Sequence, residues 1–278
     1  MEKELNIISL GAGVQSSTMA LMAAHGELTP QPDYAIFADT QWEPLEVYEH
    51  LAWLESVVSN PLRSKHYFPI LKVTQGNIKA DTLEGKNSTG QNFVAMPLFT
   101  ENGGLIRRQC TAEYKIKPIR KEIRTRLGLK PRQRVSKNTK VNLWMGISTD
   151  EASRMKPSRD AWLNHTFPLI DHRMSRFDCL KWFEKRYPKR SLTKSACVGC
   201  PYRSNSSWRD MKINDHETFD DAIKFDAKIR NVGQMKEKKH RLYVHQSCQP
   251  LSEVDFRNLE DKGQLNMFEN ECEGYCGV

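Results

Sequence analysis

Short apolar runs and amphipathic runs alternate along the first third of the chain, and this alternation restricts the fold more than any other feature. The runs predict strands over 5–10, 33–38 and 67–73 and helices over 15–26 and 44–59. Strands that recur about every 30 residues with helices between them are typical of parallel βαβ units. We therefore expect an α/β fold with a mostly parallel sheet flanked by helices.

The pattern becomes less regular after the third predicted strand. Residues 74–105 are polar and glycine-rich, and we expect a long mobile loop there, because long loops in compact domains are usually functional or disordered. Downstream, the sequence predicts a strand over 141–148 and helices over 112–127, 175–188 and 216–230. We expect an α/β domain at 1–170 and a helical region at 171–278.

Composition favours a cytoplasmic protein. The 278 residues are 38% hydrophobic and 27% charged, and no apolar run approaches the ~20 residues of a membrane span. The N-terminus lacks a basic region followed by a long apolar stretch, so we expect neither a signal peptide nor a membrane partner. In a reducing cytosol, the seven cysteines are expected to be metal ligands, nucleophiles or core residues rather than disulfides.

One segment, residues 106–140, makes the whole protein basic. It carries 13 Lys and Arg and two Glu, an excess of eleven positive charges, whereas the chain as a whole has an excess of eight. Such a segment suits a phosphate-rich partner, nucleic acid first, although a solvated helix face gives the same pattern. The candidate contacts to substrate or nucleic acid are Arg107, Arg108, Lys115, Lys117, Arg120, Lys121 and Arg124.

The stretch SLGAGVQSST, residues 9–18, joins the first predicted strand to the first predicted helix, where α/β proteins bind phosphate. It matches neither of the two common phosphate motifs. The one Gly-Lys pair, Gly85-Lys86, is followed by Asn87 instead of Ser or Thr. Gly11 and Gly13 lack the third glycine of a dinucleotide fingerprint.

The loop nevertheless has the chemistry of a phosphate cradle. Its glycines let the backbone approach a ligand closely. Helix amides, together with the hydroxyls of Ser16 and Ser17, would donate to phosphate oxygens. Because the loop has no lysine, it suits a pyrophosphate or an α-phosphate. A tight strand-to-helix turn with an ordinary cap is the alternative.

Acidic residues follow two of the predicted strands at the edge where α/β proteins bind ligands. Asp39 ends the second strand, and Asp150 and Glu151 follow the strand over 141–148. These carboxylates suit Mg²⁺, which favours one or two carboxylates plus phosphate oxygens. Arg154 could bind phosphate through two hydrogen bonds. Asp39 could equally be a turn-forming residue.

Cys197 and Cys200 form a CxxC pair followed by Pro201, and this spacing suits a metal site or an iron–sulfur cluster. A redox dithiol and two packed cysteines are the alternatives. Cys179 lies on an apolar helix face and is predicted to be a core residue. Cys248 has no partner at a recognisable spacing.

Five segments resemble the ATP pyrophosphatases with a modified phosphate loop, the PP-loop or adenine nucleotide alpha hydrolase-like superfamily. GAGVQS (11–16) resembles its SGGxDS loop, with Gln15 where the pattern has aspartate. Four further segments resemble its phosphoadenosine phosphosulfate reductase branch, in the same order and spacing over most of residues 5–205. These segments are FADTQWEP (37–44), RRQCTAEYKIKPI (107–119), GISTDEASRM (146–155) and CVGCPYR (197–203).

The resemblance implies a Rossmann-like fold of the HUP type that binds ATP and Mg²⁺, followed by a mixed helical, cysteine-bearing C-terminal extension. Carried over by position, the nucleotide contacts would be Ser9, Gly11, Ala12, Gly13, Gln15, Ser16, Ser17, Asp39, Thr40, Gly146, Asp150, Glu151 and Arg154. It also implies a [4Fe–4S] cluster, although Gln109 replaces one cysteine of the family's Cys-Cys pair. The cluster ligands would be Cys110, Cys197, Cys200 and Cys272, with Cys276 as the alternative fourth ligand.

The reaction that this resemblance implies is ATP-dependent activation of a nucleic acid. Such an enzyme adenylates a nucleobase or backbone group of tRNA or DNA, releases pyrophosphate, and supports sulfur transfer or a related modification through the cluster. Asp39 and Cys272 would be catalytic. A sulfonucleotide reductase that uses Cys272 in a mobile tail is one alternative, and a non-catalytic nucleic-acid-binding protein with a degenerate loop is another. A sulfur-donor protein and a second copy in a homodimer are further partners that this interpretation allows.

Overall fold

The computed structural model describes residues 3–192, 194–232 and 240–257. Its strands are β1 Lys3–Leu10, β2 Tyr34–Asp39, β3 Ile70–Thr74, β4 Phe99–Thr100, β5 Thr139–Met145, β6 Leu163–Thr166 and β7 Leu242–Tyr243. Its helices are α1 Val14–His25, α2 Leu45–Val58, α3 Ile78–Leu83, α4 Lys117–Arg126, α5 Pro168–Asp171, α6 Arg176–Arg186, α7 Asn205–Asn214 and α8 His216–Ile229. A π-helix, Thr111–Ile116, runs directly into α4, and 3₁₀ helices cover Thr149–Arg154 and Leu251–Glu253.

Five of these strands form one parallel sheet in the order β3-β2-β1-β5-β6. β1 lies in its centre, where Ser9 pairs with Ile36 of β2 on one side and with Met145 of β5 on the other. A separate antiparallel pair joins β4 to β7. The predicted α/β class with a parallel sheet flanked by helices is therefore confirmed, and the sheet is compatible with a Rossmann-like fold.

The order of strands changes direction between β1 and β5. From β1 the chain continues to β2 and β3 on one side, and it later adds β5 and β6 on the other side. The loops that leave β1 and β5 therefore diverge at the carboxyl edge of the sheet. A switch point of this kind opens the crevice in which α/β proteins bind ligands.

Helices cover both faces of the sheet, which explains why β1 and β5 are rich in continuous apolar sequence. On one face, α1, α2 and α6 pack over residues that include Ile8 and Phe37. On the other face, Ile119 and Ile123 of α4 pack against the sheet. Cys179 of α6 is fully buried in the first of these layers, as the sequence predicted.

Two predicted helix ends are confirmed. α1 stops at Gly26, whose φ of 78° lies in the left-handed region that glycine tolerates. α6 starts with a capping box, in which the Ser175 hydroxyl accepts from the Asp178 amide and the Asp178 carboxylate accepts from the Ser175 amide. Aspartate here replaces the more usual glutamate of this motif.

Part of the segment 74–105 is structured, so the expectation of one long loop is wrong there. α3 begins after Asn77, whose side chain accepts a hydrogen bond from the helix backbone. Val94, Met96 and Leu98 are buried in a second apolar cluster with residues of α7 and α8. The apolar run FVAMPLF (93–99) lies inside polar sequence, which conceals its packing from a search for periodic patterns.

The sequence patterns also missed β6 and α7. β6 is four residues long, and α7 begins after Ser204, whose hydroxyl accepts from the Ser207 amide. α7 and α8 pack around Trp208 and Phe225, whereas α6, from the same C-terminal part of the chain, packs against α1. Among the described helices, none has the length and apolar character that crossing a membrane requires.

Candidate functional site

The loop between β1 and α1 directs helix amides towards the crevice. Gly13 caps α1 from an extended conformation, and its capping involves no side-chain hydrogen bond. The Ser16 hydroxyl instead accepts from the Gly11 amide at 3.1 Å, which closes the loop on itself. The amides of the first helical turn therefore point out of the helix at the sheet edge, an arrangement that suits phosphate.

Ala12 makes the sharpest bend of this loop. Its φ is 57°, in the left-handed region, and its side chain is fully buried. This conformation costs an L-residue about 1–2 kcal/mol, whereas glycine adopts it freely. Ala12 thus keeps the backbone shape at the position where the SGGxDS pattern has glycine, at a cost in strain.

Gln15 ties the start of α1 to the loop that follows β5. Its side chain is 2% exposed. The amide nitrogen Nε2 donates to Ser148 Oγ at 3.3 Å and to Glu151 Oε2 at 3.1 Å, and Oε1 accepts from the Arg176 guanidinium at 3.5 Å. The residue that replaces the aspartate of the pattern is therefore a structural bridge across the switch point.

Gly146 allows the loop after β5 to touch the start of α1. A Cβ atom added there would lie 2.9 Å from both the Cα and the amide nitrogen of Ser16. Those atoms belong to the backbone and cannot rotate away. The sequence predicted Gly146 as a nucleotide contact, and the structure gives it a packing role beside the loop between β1 and α1.

Two carboxylates and an arginine occupy the 3₁₀ helix that follows β5. Glu151 is shared between Gln15 and an ion pair with Arg154. Asp150 is exposed, and its Oδ1 accepts from the Arg176 backbone amide at 2.9 Å at the start of α6. Asp150 is therefore the more accessible carboxylate for a cation, while Glu151 positions neighbouring side chains.

Two of the predicted phosphate contacts do not reach the crevice. Ser17 is fully buried, and its hydroxyl lies 2.9 Å from His50 Nε2 of α2. Burial, together with the nearby charge of Arg190, lowers the pKa of His50 to about 4, so this imidazole is neutral. Ser9 is buried within β1 and precedes the loop. We therefore remove both serines from the set of phosphate ligands.

Asp39 lies where β2 ends. Its Oδ1 accepts from the Gln41 amide at 2.7 Å and from the Tyr48 hydroxyl at 2.8 Å. Burial and the hydrogen bond to Asp39 raise the pKa of Tyr48, so the phenol stays a donor. Asp39 thus forms a turn, as one of the two interpretations predicted. Both bonds use the same oxygen, and in the described part of the chain Oδ2 accepts from no donor.

Thr40 opens a second site, which we call the cysteine pocket. Its hydroxyl is 3.3 Å from Cys197 Sγ and donates to Glu43 Oε1 at 3.0 Å. The Cys197 thiol donates to the same carboxylate oxygen at 3.5 Å. Cys110, Cys197 and Cys200 line a small cavity of about 40 Å³ together with Arg108, Lys115 and apolar walls.

Local backbone structure explains how the cysteines face one cavity. The Cys200 amide donates to the Cys197 carbonyl at 3.1 Å, which closes the CxxC turn. Gly199 is required in this turn, because a Cβ atom there would lie 2.3 Å from the Trp42 ring. Cys110 precedes the π-helix, whose i to i+5 period brings Lys115 onto the same side.

The electrostatics of the cysteine pocket favour neutral thiols, and Lys115 is the cation that acts most directly on Cys197. Burial raises the pKa of Cys197 well above its usual value, and Glu43 raises it further, while Lys115 opposes both. Burial also raises the pKa of Cys200. Burial alone would lower the pKa of Lys115, but Glu43 and the thiols raise it overall. Lys115 is therefore positioned to offset negative charge on these thiols.

The three cysteines fit an iron–sulfur cluster in donor type but do not form a ligand set as they stand. In residues 3–192, 194–232 and 240–257, no group of three or more His, Cys, Asp or Glu side chains is arranged to hold a metal ion. The predicted fourth ligand Cys272 and its alternative Cys276 lie outside the described residues. Binding of a soft metal would require the thiols to lose their protons.

The predicted nucleic-acid contacts in 106–140 do not share one surface. Arg108 and Lys115 line the cysteine pocket, where Arg108 lies 5.3 Å from the centre of the Tyr202 ring. Lys117 and Arg120 line another cavity, beside β5. The remaining three are Arg107 and Lys121, which are exposed, and Arg124, which donates to the Gln133 carbonyl.

Sequence reasoning missed several polar residues that complete these sites. Glu43 is 6% exposed, and its Oε2 has no hydrogen-bond partner among the described residues. Ser148, Arg176 and His50 each hold a predicted site residue through a bond that spans a long stretch of chain. The signal available for Glu43 was its place in FADTQWEP, close behind Asp39.

Comparison with known proteins does not assign a family to this chain. No protein-family model matches the chain, and no curated protein matches it. Gly11, Gln15, Asp39 and Glu151 nevertheless come together at one edge of the sheet, although they are scattered in sequence. The function must therefore be argued from that edge.

Proposed function

We propose that this chain is an ATP-dependent enzyme of the PP-loop type, which adenylates a group on tRNA or DNA and releases pyrophosphate. One observation carries the proposal. The start of α1, which no side chain caps, Asp39 and the Asp150–Glu151 pair all lie at the carboxyl edge of the sheet, and Thr40, the next residue after Asp39, contacts Cys197. A phosphate site and a thiol site therefore adjoin each other.

Phosphate binding would rest mainly on backbone. The amides after Gly13 would bind the β- and γ-phosphates, with the helix dipole assisting. Asp39 and Asp150 would hold Mg²⁺, which neutralises phosphate charge when bound, and Arg154 and Arg176 would add positive charge. Fixed donors of this kind stabilise charge that develops on a leaving pyrophosphate.

The chemistry that this arrangement suits is nucleophilic attack at the α-phosphorus. An oxygen of the acceptor forms a bond to that phosphorus, the bond from it to the oxygen bridging the α- and β-phosphates breaks, and pyrophosphate leaves. A sulfur or nitrogen nucleophile then displaces AMP from the acceptor. Most of the acceleration would come from positioning the two reactants and from charge neutralisation.

The finer fold assignment belongs to the same proposal. We assign the sheet to the HUP type of Rossmann-like fold, and the region that bears Cys197 and Cys200 to a cysteine-bearing C-terminal extension. Cys197, Cys200 and Cys272 of the extension, together with Cys110 of the α/β domain, would hold a [4Fe–4S] cluster, which supplies a sulfur-binding iron when bound. Lys115 would offset the negative charge of the thiolates, and Gly199 would keep Trp42 against the CxxC turn.

Pyrophosphate release tests the ATP-dependent reaction. Anaerobically prepared protein is incubated with ATP and either tRNA or DNA, and we expect pyrophosphate only when the acceptor is present. Asp39→Asn should reduce the rate about 100-fold, because it removes charge that holds Mg²⁺. Asp220→Asn, an exposed position on α8, is the matched control. Sulfite production from a sulfonucleotide, without pyrophosphate from any polynucleotide, would identify a reductase instead.

Iron content tests the cluster separately. We expect iron and a visible absorption band in anaerobic protein, both lost in Cys197→Ser. Cys248→Ser is the matched control, because Cys248 contacts the Thr100 carbonyl and does not line the pocket. A colourless wild-type protein without iron would remove the cluster from the proposal but leave the adenylation step.

A further inference from the structure

A second cavity lies between the start of α4 and the edge formed by β5 and β6. Its volume is about 220 Å³. Its apolar side is formed by side chains that include Ile116, Met145, Ile147, Leu163 and Phe167. Its polar side includes Ser158, Asp160 and His165 together with five cations, which are Lys117, Arg120, Arg154, Lys156 and Arg159. An apolar wall thus faces a basic rim.

The basic rim has more positive charge than its neighbours neutralise. Asp160 pairs with Arg120, Glu151 pairs with Arg154, and Glu113 Oε1 lies 3.8 Å from Lys117 Nζ. Lys156 and Arg159 are exposed and form no ion pair with the described residues. Unneutralised cations at the mouth of a cavity attract an anionic ligand. The phosphate groups of a nucleic acid are anions of this kind.

The size and walls of the cavity restrict that ligand further. About 220 Å³ corresponds to roughly seven water molecules and lies below the ~300–1,000 Å³ of pockets for drug-sized ligands. The cavity is therefore too small for a nucleoside triphosphate. An apolar wall of this extent suits one planar ring system, with attached phosphates held outside at the rim.

The cavity adjoins the loop between β1 and α1. Met145 and Ile147, both in its wall, flank Gly146, which lies against the backbone of Ser16. Arg154 of the rim is linked through Glu151 to Gln15. A ligand in the cavity therefore lies next to the site where the phosphates of ATP are proposed to bind.

We propose that this cavity receives one unstacked nucleotide of a polynucleotide, with its base against the apolar wall and its neighbouring phosphates on Lys117, Lys156 and Arg159. The inference rests on the proposed function only in that the polynucleotide is taken to be the acceptor. It deepens that proposal by naming where the acceptor enters. Two of the three phosphate contacts lie outside the basic segment 106–140.

Fluorescence of a base analogue tests the inference without ATP. A short single-stranded oligonucleotide, of RNA or DNA, carries one 2-aminopurine, which becomes bright when unstacked. We expect brightening on binding and protection from acrylamide quenching. In Lys156→Ala/Arg159→Ala, affinity should fall about tenfold, and the slope of log K against log salt should decrease by about 1.5. Lys185→Ala/Lys189→Ala removes equal charge at exposed positions in the last turn of α6 and just after it, on the opposite face of the sheet, and should change affinity less than about twofold.

A variant in which a side chain fills the cavity tests recognition of the base separately from attraction of the phosphates. Ala112→Phe adds a ring to the cavity wall while leaving every rim cation in place. We expect binding within about threefold of wild type, because the phosphate contacts remain, and we expect quenching protection to be lost. Protection that survives in Ala112→Phe would overturn the inference, and so would an equal loss of affinity in the α6 control.

Two further measurements use the wild-type protein and therefore do not depend on the folding of a variant. They distinguish a polynucleotide from a free nucleotide as the ligand. Photo-crosslinking with a 4-thiouracil base should mark Ile116 or Phe167, and crosslinks confined to 128–140 would contradict the proposal. A nucleoside monophosphate that binds as tightly as the oligonucleotide would assign the cavity to a small nucleotide. A failed pyrophosphate assay leaves all these readouts intact, so the two proposals fail separately.

Discussion

The loop between β1 and α1 and the cysteine pocket share one edge of the sheet but are built in opposite ways. At the loop, backbone amides face the crevice, and polar side chains such as Gln15 hold the backbone in place. In the cysteine pocket, side chains face the cavity, with Glu43 and Lys115 beside the thiols. One site would bind through the main chain and the other through its side chains.

This difference predicts which changes each site tolerates. The loop depends on close approach of two backbone segments at Gly146, whereas the cysteine pocket depends on three thiols and the charges around them. Substitutions should therefore separate the two sites, even though Asp39 and Thr40 are consecutive residues.

The strongest separation should come from paired glycine variants. In Gly146→Ala the new Cβ meets the Ser16 backbone, and in Gly199→Ala it meets the Trp42 ring. Each should lower the free energy of unfolding by about 2–3 kcal/mol through overpacking. Gly146→Ala should lose ATP binding and keep normal thiol reactivity, whereas Gly199→Ala should do the reverse.

Denaturant unfolding, ATP titration and thiol alkylation measure these three quantities in each glycine variant. Each variant serves as the control for the other. Loss of both functions in both variants would show that the edge behaves as one site, and the contrast between a main-chain site and a side-chain site would be lost.

Removal of the Gln15 bridge should have the next largest effect. Gln15→Ala leaves Ser148 and Glu151 without their shared partner and should cost about 1.5 kcal/mol of unfolding free energy. ATP affinity should fall about tenfold, because α1 is no longer held against the loop after β5. Calorimetric titration with ATP checks this. Unchanged affinity in Gln15→Ala would mean that the bridge stabilises the fold without shaping the loop.

Low pH should reduce the stability of the fold through His50, which lies beside Ser17 of α1. Burial depresses the pKa of His50 to about 4, so the unfolded chain takes up a proton near pH 6.5 while the folded protein does not. Stability from this residue is therefore complete above pH 6.5 and is lost as pH falls towards 4. Between pH 6.5 and 5.5 the loss should be about 1 kcal/mol.

The difference in pH dependence between wild type and His50→Gln isolates this contribution in denaturant unfolding. His216→Gln, an exposed position on α8, is the control and should follow wild type. Parallel pH profiles for wild type and His50→Gln would contradict a neutral, buried imidazole beside Ser17.

The smallest expected effect is an increase in stability, in the variant Ala12→Gly. Ala12→Gly relieves the left-handed φ of 57° but makes the unfolded chain more flexible, so the net stabilisation should be about 0.5 kcal/mol. ATP affinity should not change, because the backbone shape is already that of glycine. Thermal unfolding and ATP titration test both statements, and a destabilised variant would show that the buried Ala12 methyl outweighs the strain.

The sheet and the loop were predictable because their signals are local. Alternating runs predicted β1, α1, β2 and α2, and small residues marked the loop between the first two. Glu43, Lys115 and Ser148 were not assigned their roles, because each acts through a contact between distant parts of the chain. Gln15 and Ser148 are separated by 133 positions, and Thr40 and Cys197 by 157. No periodic pattern encodes such pairs.

Strand β2 ends at Asp39, which would hold the proposed cation, and the next residue, Thr40, contacts the Cys197 thiol of the other site. The Cα atoms of these two residues are only about 3.8 Å apart, so a single peptide unit separates the two sites along the chain. An activated group formed on one side would need to travel only the length of a side chain to meet a thiol on the other. Two-step chemistry on this scaffold would need neither a swinging arm nor a diffusing carrier.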